Sequence, residues 1–88
     1  GRPPGIYRRE KTMNKQRRKR LEEASALLEQ AKDILEEVKD EEAEAYENLP
    51  EGLQGSERGE AMQEAIDSLE SAYDGLEDVI SSVEEAGA

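Results

Sequence analysis

Residues 61–86, AMQEAIDSLESAYDGLEDVISSVEEA, carry one apolar pattern that returns every seven residues. With Met62, Leu69, Leu76 and Val83 at heptad position a, Ala65, Ala72, Val79 and Ala86 fall at d, and Ile66, Tyr73 and Ile80 stand beside them at e. That spacing gathers them into one stripe along a helix. Positions b, c and f hold Glu, Asp, Ser and Gln, so the rest of the cylinder belongs in water. A helix of this kind must bury its stripe against another helix.

The partner lies upstream. Asn14 can cap a helix that runs without Gly or Pro to Asn48. Its apolar positions step by three and four through Leu21, Ala24, Leu28, Ala31, Leu35, Val38, Ala45 and Leu49, with Glu42 interrupting. Leu27 and Ile34 widen that stripe on the flank opposite to the one that Ile66, Tyr73 and Ile80 occupy in the second helix. Between the two patterns, NLPEGLQGSERG (48–59) holds Pro50 and three Gly. Pro50 pushes the preceding residue out of the α region, which ends the first helix near Asn48. Leu49 and Leu53 are expected to fold back over the turn. Ser56 is the expected N-cap of the second helix, with Glu57 and Glu60 opposing the positive end of its dipole and Gly59 as a weak point in its first turn.

These signals predict an all-α fold: an antiparallel two-helix hairpin, coiled-coil-like, with a helix over about 14–48, a turn over 49–56 and a helix over about 57–86. Residues whose numbers sum to about 107 come opposite one another, Leu28 with Val79 and Leu35 with Ala72 among them. Ala at half the d positions makes a thin core, and a lone hairpin of this composition is marginal. A stripe three residues wide suits a bundle of more than two helices. The hairpin is therefore expected to self-associate into a four-helix bundle, or to dock on a partner, with Leu27, Ile34, Ile66, Tyr73 and Ile80 as the second contact surface. Gly75, beside the seam, costs about 1 kcal/mol against Ala unless a helix approaches closely there.

Residues 1–12, GRPPGIYRREKT, suit neither helix nor strand. They are expected to be a flexible N-terminal extension without a function, outside the native protein if translation starts at Met13. The competing reading is an Arg-rich arm that binds a partner.

The chain has 88 residues, no Cys and no His. Disulfides, thiolate metal sites, cysteine nucleophiles and the usual general base are absent together, which argues against an enzyme. No Ca²⁺-loop spacing, di-iron Glu-x-x-His or phosphate-loop motif is present, so no cofactor and no metal are expected, and runs such as Asp40-Glu41-Glu42 read as solvated helix surface. With no apolar run long enough to span a bilayer and no leader, the expected location is the cytoplasm of a bacterial host cell, with no membrane partner.

Charge is divided sharply. Residues 1–20 hold nine Lys or Arg against Glu10, a net of +8, whereas residues 21–88 hold three cations against 22 acids, a net of −19, which together give the −11 of the chain. The basic run Lys15, Arg17, Arg18, Lys19 and Arg20 reads first as a neighbour for the negative end of the second helix. Contact with nucleic acid through these residues is the weaker alternative, since the acidic body repels the same phosphates. The acidic rows themselves can imitate the charge of a duplex and occupy the basic groove of another protein.

The words NLPEGLQGSERGEAMQEAIDSLESA (48–72) and MNKQRRKRLEE (13–23) resemble a group of small, uncharacterised acidic helical-hairpin proteins of phages and mobile elements of Gram-positive bacteria. The resemblance covers Met13 to about Ala86 and is most specific from Leu49-Pro50-Glu51 through Ser56-Glu57-Arg58. It implies an accessory, structural or inhibitory role, with Ser56, Glu57 and Arg58 fixing the turn, and it carries over no binding residue. The expected function is a non-enzymatic protein-protein interaction module whose acidic faces engage a basic host or element protein. The alternatives are an oligomerisation scaffold and nucleic-acid association through residues 15–20.

Overall fold

The computed structural model describes residues 14–88; the expectations for residues 1–12 and for Met13 lie outside the described residues. Three helices follow in order: α1 over Lys15–Glu47, α2 over Glu51–Gln54 and α3 over Glu57–Gly87. The two long helices pack against each other along their length as a hairpin. At 33 and 31 residues they are each about 45–50 Å long. None is long and apolar enough to cross a membrane.

Both long helices start where their caps direct. The Asn14 carboxamide accepts from the Arg17 N–H at 2.8 Å, and the Ser56 hydroxyl accepts from the Gly59 N–H at 3.3 Å. Each satisfies a donor that has no partner inside its helix. α1 stops at Glu47, one residue before Asn48 and three before Pro50. The segment expected as plain turn contains a single helical turn, α2, which starts after Pro50 with the Leu53 N–H bonded to the Pro50 carbonyl at 2.8 Å.

Closure of the turn is by hydrogen bonds and backbone packing. The Tyr46 hydroxyl donates to the Gln54 carbonyl at 3.5 Å, and the Gln54 side-chain amide donates to the Tyr46 carbonyl at 3.4 Å. The Ser56 hydroxyl donates to the Leu53 carbonyl. Leu49 is half-buried, but Leu53 is 45% exposed and does not cap the hairpin. Gly59 is buried, and a Cβ there would stand 2.6 Å from the Gln54 carbonyl carbon and 2.7 Å from the Leu53 oxygen. Instead of a weak point, Gly59 is where the chain of α2 lies directly on α3, an approach that any side chain would obstruct.

The rotation of the helices about their own axes corrects the expected seam. On α3 the half-buried or buried positions are Gly59, Met62, Ala65, Ile66, Leu69, Tyr73, Leu76, Ile80, Val83 and Gly87, and Ile80, at 5% exposure, is the one buried apolar side chain among the described residues. Ile66, Tyr73 and Ile80 therefore face α1, and are not the outer contact surface expected of them. Ala72, Val79 and Ala86 are exposed in their stead. On α1 the same rotation brings Ser25, Lys32, Lys39 and Tyr46 to the seam beside Leu21, Leu28 and Leu35, and leaves Val38 and Ala45 exposed. Burial decides the matter: Ile and Tyr remove more apolar area from water than Ala, and Lys can lay its methylenes over the seam with its ammonium outside. The axial register holds within two residues. Leu21 Cδ1 is 3.6 Å from where a Cβ on Gly87 would stand, and Lys32 meets Glu77 across the seam at 3.7 Å.

Candidate functional site: two opposite faces of the hairpin

Two parallel cylinders joined at one seam have two broad faces. Side chains lie about 100° apart per residue, so the seam residues fix which neighbours fall on each face. One face carries Glu22, Glu29, Asp33, Glu36 and Asp40 from α1 with Asp67, Glu70, Asp74, Glu77 and Glu84 from α3, all exposed. The other carries Leu27, Ile34 and Val38 from α1 with Ala72, Gly75 and Val79 from α3, also exposed.

The edge of the acidic face is marked by Lys32. Its ammonium is 3.5 Å from Glu29 Oε2 and 3.7 Å from Glu77 Oε2, and lies 5.2 Å from the centre of the Tyr73 ring. Burial pulls this ammonium toward neutrality, but Glu29, Tyr73 and Glu77 outweigh it and the net shift of its pKa is upward. Hydrogen bonding to the Glu36 carboxylate, then burial and the charge of Glu36, hold the Tyr73 hydroxyl above its ordinary pKa, although Lys32 pulls the other way. Lys32 thus clips α1 to α3. Its position was signalled by its being one of only three cations after residue 20, set level with Tyr73 by the hairpin register.

Among the described residues these are the only ion pairs, so every acid except Glu29 and Glu77 has no cation within 4.0 Å there. No group of three acids among the described residues is disposed to hold a metal ion.

At the open end, Lys15, Arg17, Arg18, Lys19 and Arg20 form the first turn and a half of α1 and are exposed. Lys15, Arg18 and Lys19 line a shallow concavity with Glu22, Val83, Glu84 and Gly87. The basic run is thus beside the C-terminal end of α3, but among the described residues it makes no ion pair with it.

The residues expected at a second contact surface divide in two. Leu27 and Ile34 are 65% and 53% exposed and share the apolar face. Ile66, Tyr73 and Ile80 belong to the seam. Val38 and Val79, each 45% exposed, join Leu27 and Ile34 instead; both lie on the heptad lattice, but at positions assigned to the interior. No family model, curated protein or solved structure matches this chain.

Proposed function

We propose that this hairpin is a non-enzymatic protein-protein interaction module of a phage or mobile element, acting in the cytoplasm of a bacterial host, which presents its acidic face to a basic host or element protein. The observation that supports this reading is the acidic face itself: two parallel rows of exposed carboxylates, nearly all without a cation within 4.0 Å among the described residues. Within each helix, carboxylates seven residues apart stand about 10 Å from one another, and two such rows offer a ladder of negative charge to a groove that otherwise holds nucleic acid. Charge of this kind sets partner choice and association rate more than it sets affinity.

Titration against nucleic-acid-binding proteins of net positive charge from a Gram-positive host tests the reading. Binding weakens steeply as salt rises, and is lost when Asp33, Asp40, Asp67 and Asp74 are all changed to Asn, four exposed acids outside the Lys32 pairs. Binding insensitive to both would remove the proposal. A second reading, an oligomerisation scaffold, is favoured by the exposed Leu27, Ile34, Val38 and Val79; it requires self-association that persists at high salt.

A further inference from the structure

We propose that the apolar face is the interface of a two-fold symmetric dimer, in which a second copy of this chain stacks face to face with α1 antiparallel to the partner's α1 and the two α3 helices crossing at Gly75. The inference is independent of the acidic-face reading, because it uses the opposite side of the hairpin and needs only the free chain.

Handedness sets the orientation: with the same face of each hairpin turned inward and α1 on α1, the two α1 helices must run antiparallel, and charge is left to set the register. Along α1 the outer stripe reads Arg20, Leu27, Ile34 and Glu41 at seven-residue steps, with Val38 and Ala45 exposed between them and Ala24 and Ala31 half-buried at its inner edge. A cation stands at one end of the apolar stretch and an anion at the other. In the register where Leu27 meets Val38 of the partner subunit and Ile34 meets its Ala31, Arg20 stands opposite Ala45 of the partner subunit, about one turn from its Glu41, twice by symmetry. This alternation is the one in which an antiparallel coiled coil packs.

The same register passes the two-fold axis between residues 32 and 33 of α1. Lys32 meets Glu77 on one side and lies over Tyr73 on the other, so the residue of α3 at that level is Gly75. Gly75 is exposed, and nothing stands within 4 Å of where its Cβ would be. A helix on solvent has no use for a glycine there, which costs about 1 kcal/mol against Ala; two helices crossing closely at that point do. The register chosen from α1 charges and the glycine on α3 thus arrive at one axis from separate observations. The whole side of the hairpin measures roughly 45 Å by 20 Å, about 900 Å² on each copy with the apolar residues at its centre, against the ~800 Å² per partner of a stable interface.

The chain has no Cys, so single cysteines report the geometry. Light scattering after size separation is expected to give twice the 9.8 kDa chain mass at low and at high salt. Gly75→Cys is expected to oxidise to a covalent dimer, because each copy meets itself at the axis. Leu27→Cys is not, because the two copies of that residue lie eleven positions apart in this register, about 16 Å. Ile34→Glu is expected to give a monomer whose helical circular dichroism is retained, since Ile34 is on the outside of the hairpin. A monomeric mass for the unaltered chain overturns the proposal, as does an unchanged mass for Ile34→Glu. Cross-linking of Leu27→Cys in place of Gly75→Cys would mean a different register, and cross-linking of neither would mean that α1 stacks on the partner's α3; each overturns it.

Discussion

Val79 and Ile80 are adjacent β-branched aliphatic residues on one helix, yet Val79 is 45% exposed and Ile80 5%. Each stands for a stripe. Ile66, Tyr73 and Ile80 with Met62, Leu69 and Leu76 form the seam, whereas Ala72, Gly75 and Val79 lie outside it on the apolar face. In the seam the side chains are large and one layer deep, so every one carries a sizeable share of a small core. In the outer stripe they are small, and the hairpin does not depend on them. The contrast separates what folds the monomer from what is left over for another surface.

Breaking the seam has the largest expected effect. Ile80→Ala should cost about 2–5 kcal/mol, comparable with the whole stability of a scaffold this size, and a urea or thermal melt followed by circular dichroism should show the helices largely unfolded. Next comes the turn, where Gly59→Ala is expected to lose about 1–3 kcal/mol because α2 must shift to admit a methyl group, with a lowered urea midpoint as readout. The outer stripe should respond in the opposite sense. In an Ile34→Glu background, where only the hairpin is measured, Gly75→Ala should gain about 1 kcal/mol; a loss there would mean that the hairpin itself uses this glycine.

The smallest effect sharpens the seam from its charged edge. The pKa values of Lys32 and Tyr73 are both raised in the folded chain, so the protonated forms stabilise it. That contribution is complete below about pH 9, where both are protonated in the unfolded chain too, and is lost as pH rises through the raised folded values. The urea midpoint should therefore fall on alkaline titration, and Tyr73→Phe should remove the Tyr73 part of that fall while leaving the part due to Lys32.

Several features of this arrangement are legible in the chain before any packing is considered. Asn14 and Ser56 read as caps and are caps, because the chemistry of a short polar side chain before a helical run is local. Pro50 ends α1 within three residues for an equally local reason. The axial register also emerges from the heptads, since Leu21 lies beside Gly87 and Lys32 beside Glu77. Which side of each stripe faces inward is not legible by pattern alone. Ala65, Ala72 and Val79 satisfy an apolar heptad as well as Ile66, Tyr73 and Ile80 do, and a binary reading cannot rank them. Gly59 was misleading because its use depends on the chain of α2, whose single helical turn has no periodicity to announce it.

By itself, then, the sequence determined two long helices, where they start and stop, their antiparallel order and their register, all consequences of local backbone chemistry and of repeats seven residues long. Only the tertiary structure decided the rotation of each helix about its axis. That choice is made by competition between neighbouring side chains for one thin seam, in which the larger Ile and Tyr displace Ala and the Lys32 ammonium finds Glu77 across the gap. The rotation in turn sorts the remaining surface into one acidic face and one apolar face, because on a cylinder the placement of the buried stripe determines where every other residue must point.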